Sequence, residues 1–287
     1  MISPSQIDWN AGFFQPTDLR TALQIRARYR GKVTPIAGAT LVARSINAGD
    51  FNDGRILDLS RIRSLAKMKV TKENIEIGAC VTFETLEKSP LCALAEAAKG
   101  VGGPAIRRRA TLGGNLVSAR KDGDGCVAAL AFSSFVELST ISGSRLISID
   151  DFFGPQEGRT ALRNDELLTK IIVPNGAISA WCEVGVRLGA SHSIVCCAGS
   201  LVGGKIVRIA FGGAGKTVAR TRAAEDIVEK GGLTDRSISA ATKSVRNEVK
   251  PITDWHASAG YRREMAAVMA KRVLLSLRQT RDKRPKL

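Results

Sequence analysis

The sequence predicts an α+β fold in two parts, and three observations carry that expectation. Strand-like and helix-like segments come in mixed order through roughly the first 176 of the 287 residues. A glycine-turned hairpin follows, and three helical segments then gather at the C-terminal end. Hydrophobic residues make up 44% of the chain and charged residues 24%, enough apolar surface for substantial cores. A doubly wound sheet would instead alternate strand and helix throughout.

Taken in order, Pro16 to Gly31 reads as a helix. Proline opens it, glycine stands where a C-cap belongs, and Leu19, Ala22, Leu23 and Ala27 share a face. A strand over Val33–Ala37 runs into Gly38-Ala39-Thr40, then into Leu41–Ala48, helical or irregular, and a strand over Ile56–Leu59. Leu65–Val70 and Ile75–Cys80 form a hairpin around Lys72-Glu73-Asn74. Thr82–Lys88 and Leu91–Lys99 are helices, the second broken by Gly100, Gly102 and Gly103 before Pro104. Cys126–Ser133 is helical, and Phe135–Ile141 and Leu167–Val173 are strands. Pro174 to Ser179 is the link between the two parts. Beyond it come a strand over Trp181–Arg187 and a hairpin, Ser193–Leu201 with Lys205–Phe211, across Gly203-Gly204. Helices near Arg220–Glu229, Ser237–Val249 and Ala257–Leu277 close the chain.

Composition excludes several classes. No apolar run approaches the ~20 residues of a membrane helix. Met1–Asn10 lacks the basic-then-apolar order of a secretory signal, so a cytoplasmic protein is expected. The six cysteines make no CxxC pair and only two histidines are present, so no protein-ligated metal or cluster is expected in this chain. Adjacent Cys196 and Cys197 point to opposite faces of a strand. The net charge of +16 is dense at Arg107-Arg108-Arg109 and in the basic tail from Arg278. No zinc finger, aromatic RNP motif or helix-turn-helix accompanies it, so specific nucleic-acid binding is not expected. A solvated surface, an acidic partner subunit or an anionic cofactor are the alternatives.

Two small-residue bends carry the chemistry. In Gly38-Ala39-Thr40 the backbone is open to close approach, and successive N–H groups there suit a diphosphate. Thr111-Leu112-Gly113-Gly114-Asn115 sets two glycines between a hydroxyl and an amide, suited to a ribityl chain or a pyrophosphate. Each can equally be a plain turn. Gly212 to Thr217 lacks the spacing of a phosphate-binding GxxxxGK[ST] loop.

Ala37-Gly38-Ala39-Thr40 resembles the AGGT/AGGH turn of the FAD-binding subunits of molybdenum hydroxylases, the xanthine dehydrogenase and carbon monoxide dehydrogenase family. Ile106-Arg107 through Ala110-Thr111-Leu112-Gly113-Gly114-Asn115 resembles that family's IRN-x-ATIGGN motif. Phe14-Gln15-Pro16-Thr17, Asp165-Glu166-Leu167-Leu168 to Pro174, and Asp254 to Arg262 resemble further family segments in the same order. Ala39 replaces the second glycine of the first turn, Leu41 a polar residue, and Arg108 an asparagine. Glu183 stands where some members carry lysine.

The resemblance implies a vanillyl-alcohol-oxidase (PCMH) type FAD domain over 1–176, with subdomains about 1–60 and 61–176. It implies an α+β domain of antiparallel sheet and helices over 177–287. FAD would be held by Ala37, Gly38, Ala39, Thr40, Leu41 and Leu168, and by Thr111, Leu112, Gly113, Gly114 and Asn115. Ser118 and Asp124 would add contacts, Asp124 by accepting from a cofactor hydroxyl or ring N–H. On the residues alone, Asp124 also reads as a helix N-cap. Molybdopterin would sit on a large partner subunit and two [2Fe–2S] clusters on a small one. Electrons would cross the clusters to FAD and leave to an acceptor such as NAD or oxygen. Two other readings remain: a stand-alone flavin oxidoreductase of the same fold, and a basic scaffold or nucleic-acid binder that has lost FAD.

Overall fold

The computed structural model describes residues 12–51, 54–186 and 193–283. His192, Met1–Asn10 and the last residues of the basic tail lie outside them.

A small parallel sheet comes first: β1 (Phe13–Phe14), β2 (Thr34–Ile36) and β3 (Ile56–Asp58), in the order β1-β3-β2. Helix α1 (Leu19–Tyr29) links the first two strands. Asp18 caps it, its Oδ1 accepting from Thr21 N at 2.9 Å. The helix ends through Arg30 at φ 35° and Gly31 at φ 76°. Its buried face holds Ala22, Leu23 and Ile25, while Ala27 is only half-buried, so the apolar stripe lies slightly off the expected one. Helix α2 (Thr40–Ala48) then leads to β3 and buries none of its residues.

The second sheet is antiparallel, in the order β4-β5-β8-β6-β7. Its strands are β4 (Met68–Val70), β5 (Asn74–Gly78), β6 (Phe135–Thr140), β7 (Gly143–Ser148) and β8 (Leu167–Pro174). Arg63–Ala66 forms a 3₁₀ turn, which shortens the first strand of the expected hairpin. Five helices stand between β5 and β6: α3 (Phe83–Leu86), α4 (Cys92–Gly100), α5 (Pro104–Arg107), α6 (Leu112–Ser118) and α7 (Asp124–Ala131). The short helix α8 (Ile149–Phe152) follows β7.

The third sheet is antiparallel, in the order β12-β11-β10-β9. It comprises β9 (Ile178–Gly185), β10 (Ser193–Val202), β11 (Ile206–Gly212) and β12 (Ala219–Arg220). The β10–β11 hairpin turns through Gly203 and Gly204, both at positive φ, as a two-residue turn requires. Helices α9 (Arg222–Gly231), α10 (Asp235–Glu248) and α11 (Ala259–Lys283) cover one face.

β10 is buried on both faces, which explains its unbroken apolar run. Cys197 packs among the C-terminal helices, while Cys196 and Ala198 belong to the core that contains α4, α7 and the second sheet. Ser200, fully buried, donates to the Ala131 carbonyl of α7 at 2.7 Å. No helix of the described residues is long and apolar enough to cross a membrane.

Candidate functional site

The first bend is held by a backbone contact. A Cβ on Gly38 would lie 1.9 Å from the Arg109 carbonyl oxygen and 2.9 Å from Ala110 Cα. Only glycine lets the loop after β2 cross the segment leading to the second bend. The two bends, far apart in sequence, therefore meet, and together they line one cleft of about 540 Å³.

Ala39 follows at φ 57°, a left-handed conformation that is costly for alanine. It places the start of α2 at the cleft with no side chain capping it. The first backbone amides of a helix, here those of Thr40, Leu41 and Val42, have no intrahelical acceptor and sit at the positive end of the helix dipole. Ala37, Gly38, Ala39, Thr40 and Leu41 all line the cleft, as expected.

The second bend differs from expectation. Thr111 to Asn115 is not an open turn but the cap and first turn of α6. Thr111 Oγ1 accepts from Gly114 N at 3.1 Å, and Asn115 N donates to the Thr111 carbonyl. Leu112 N and Gly113 N are taken by the carbonyls of Val81 and Ala79. A Cβ on Gly113 would meet Ala79 O at 2.5 Å, so this glycine serves the packing of α6 onto the segment after β5. The amides from Leu112 to Asn115 are thus spent inside the fold. Thr111, Gly113, Gly114 and Asn115 still line the cleft, but Leu112 does not: it is fully buried in the core.

Asn115 joins α6 to α7. Its Oδ1 accepts from Cys126 N at 3.1 Å, while Nδ2 has no partner among the described residues. Gly125 allows this approach, since a Cβ there would lie 2.7 Å from Asn115 Oδ1. Ser118 lines the cleft and donates to the Asn115 carbonyl at 2.6 Å. Leu168 of β8 contributes to the apolar wall together with Ile36, Phe83, Val101 and Leu167.

Asp124 is the first residue of α7, but it does not cap that helix; Gly123 occupies the cap position without a side chain to do so. Its carboxyl turns instead toward β10, where Ser193 Oγ lies 3.3 Å from Oδ1. Burial, with Glu183 and Asp122 as negative neighbours, pushes this carboxyl from its ordinary 3.8 up to about 8. A carboxyl raised this far favours its protonated form near neutral pH, and in that form it can donate one hydrogen bond and still accept others.

Several cleft residues escaped the sequence reading. Arg26 and Arg44 line it, as do Gly100 and Gly102, which read only as a helix break. Arg120 is engaged with Asp122 at 2.9 and 3.0 Å. Lys121 Nζ lies 3.6 Å from Asp254 Oδ2, and its carbonyl accepts from Gly213 N at 2.8 Å. Both cations are thus engaged within the fold. Asp254 in turn holds buried Arg262, at 2.7 Å from its Nη2. Arg262 Nη1 donates to the carbonyls of Ile194 and Gly213, which fixes the start of β10 beside Asp124. Burial opposes ionisation of Asp254, but hydrogen bonds from Arg262, His256 N and Ala257 N outweigh it and hold the carboxyl at about 2.

Comparison with known proteins places these features in context. Residues 7–176 match the FAD binding domain in molybdopterin dehydrogenase. Residues 182–277 match the CO dehydrogenase flavoprotein C-terminal domain. The chain is 30% identical over 234 residues to the nicotine 6-hydroxylase medium subunit of Paenarthrobacter nicotinovorans, covering 77% of this chain and 81% of that protein. It is 28% identical over 254 residues to a xanthine dehydrogenase FAD-binding subunit of Escherichia coli O157:H7, covering 83% and 86%. Among solved structures, the carbon monoxide dehydrogenase of Hydrogenophaga pseudoflava that lacks the Mo-pyranopterin moiety superposes with a TM-score of 0.86 at 24% identity, over 97% of this chain and 99% of that chain.

Proposed function

This chain belongs to the family of FAD-binding subunits of molybdenum hydroxylases, and on that premise we propose that it relays electrons through FAD between partner subunits and a terminal acceptor. It is an oxidoreductase subunit with FAD as its cofactor. The electrons would come from [2Fe–2S] clusters on a small partner subunit, fed by a molybdopterin-binding large subunit. They would leave to NAD or oxygen.

The observation that carries the site reading is the meeting of the two bends at Gly38 and Arg109–Ala110. The cleft they frame fits a flavin dinucleotide. The amides of Thr40, Leu41 and Val42 suit its pyrophosphate, because they are uncapped and at a helix N-terminus. Asn115 Nδ2 and the Thr111 hydroxyl would donate to the ribityl and ring oxygens, and the wall around Ile36 and Leu168 would take the flat ring. When bound, FAD supplies one- and two-electron redox chemistry; the chain's residues bind it, orient it and shield it from water. In this reading residues 1–176 form the FAD-binding part, and the remainder to 287 is a second domain whose β9 and β10 pack against α4 and α7.

Purification of the full chain from its host tests the proposal. A yellow protein with flavin absorbance, accompanied by an iron–sulfur chain and a molybdopterin chain, is the expected result. Flavin reduction by an organic substrate without any partner would move the assignment to a stand-alone flavoenzyme. A colourless chain that shifts DNA in a salt-dependent way would replace it with the scaffold reading.

A further inference from the structure

Asp124 faces a second carboxyl across a single hydroxyl. Ser193 Oγ lies 3.3 Å from Asp124 Oδ1 and 3.0 Å from Glu183 Oε2. Ser193 and Asp124 are each 8% exposed, whereas Glu183 reaches solvent at the edge of the third sheet. A hydroxyl carries one hydrogen. With both carboxyls ionised, Ser193 could donate to only one, and the other would press an anionic oxygen against its lone pairs. A proton on the buried carboxyl satisfies every atom. Asp124 then donates to Ser193 Oγ, and Ser193 donates to Glu183 Oε2. Glu183 also accepts from Trp181 Nε1 at 3.3 Å. It lies behind Gly100, where a Cβ would come within 3.1 Å of Oε2, and Gly100 itself lines the cleft.

We propose that Asp124, Ser193 and Glu183 form a proton relay from the cleft to solvent, serving the electron transfer of the bound flavin. The relay rests on the FAD reading of the cleft. A bound FAD, reduced by two electrons from partner iron–sulfur clusters, would take up one proton from the cleft. Asp124 releases that proton into the cleft, the Ser193 hydroxyl proton passes to Asp124, and the ionised Glu183 takes a proton from water and hands it on to the Ser193 oxygen, which returns all three groups to their starting state. Removal of the two electrons by the acceptor drives the same transfers in reverse, so protons and electrons balance over a cycle.

The other groups around Asp124 leave this pair in control. Cys196 of β10 and Cys126 of α7 have their thiols pushed up by burial and stay neutral. Asp122, in the preceding loop, is paired with Arg120. Among the described residues Glu183 is thus the carboxyl that faces Asp124 without a cationic partner.

The test labels aspartate carboxyls with ¹³C in the full chain and follows Asp124 by infrared difference spectroscopy across pH, with and without FAD. A protonated carboxyl band persisting at neutral pH, absent in Asp124→Asn, is expected. Its midpoint should fall in Glu183→Gln, an exposed position where folding is not at risk. In the FAD-loaded protein, the pH at which the slope of the reduction potential changes should move the same way in Glu183→Gln. Ser193→Ala should slow proton uptake during flavin reduction at least several-fold, with an enlarged solvent isotope effect. Titration of Asp124 in the ordinary carboxyl range, or a midpoint indifferent to Glu183→Gln, would overturn the relay. A chain that keeps the protonated Asp124 but never binds flavin would overturn the FAD reading instead.

Discussion

Ala39 and Gly38 sit side by side at the cleft and face opposite demands. Ala39 holds a left-handed conformation that costs a residue with a Cβ about 1 kcal/mol. Ala39→Gly should raise the thermal midpoint of the chain by a few degrees and leave the flavin spectrum unchanged. At Gly38 the added methyl would meet the Arg109 carbonyl oxygen at 1.9 Å. Gly38→Ala should separate the two bends and abolish flavin binding, read as loss of visible absorbance in purified protein. Neither contact partner was legible in the sequence. Gly38 read as a small-residue turn, and nothing in its neighbourhood announces that the obstacle is Arg109. Asp124 illustrates the same limit, since its spacing suggested a cofactor contact or a helix cap while its hydrogen-bond partner lies on β10.

At the level of elements, α6 shows where local reading gave out. Two consecutive glycines argue for a turn by propensity. The helix forms because Thr111 caps it and because Gly113 must pass Ala79 without a side chain. Thr111→Ala should therefore cost about 1 kcal/mol in urea denaturation, and Thr111→Ser should restore most of it. β7 was missed because its residues, Gly143 to Ser148, are largely polar and lie at a sheet edge. The elements that were legible carry their own signals. Gly203-Gly204 marks the hairpin, the alternation at Ile75 and Ile77 marks β5, and the terminal helices show their apolar stripes.

For the whole molecule, the raised Asp124 carboxyl links stability to pH. Its folded value of about 8 lies above its ordinary 3.8, so the folded state holds the proton more tightly. That stabilisation is fully present below about pH 3.8 and is lost as pH rises through 8. The unliganded chain should accordingly lose denaturant resistance between pH 5 and 8.5, and Asp124→Asn should flatten that dependence, measured by urea midpoints across the range. Opposing this at the acid end, Asp254 contributes stability that disappears as pH falls from 3.8 through about 2.

β10 belongs to two cores at once, with Cys196 facing one and Cys197 the other. Heating should consequently melt the chain in a single calorimetric endotherm whose van't Hoff and calorimetric enthalpies agree. Cutting the chain at the junction near Pro174 would strip α4 and α7 of their cover and yield an insoluble fragment. The two matched segments thus share one strand between their cores, and a chimera that joins either segment to a relative's partner segment should fold only when β10 suits both.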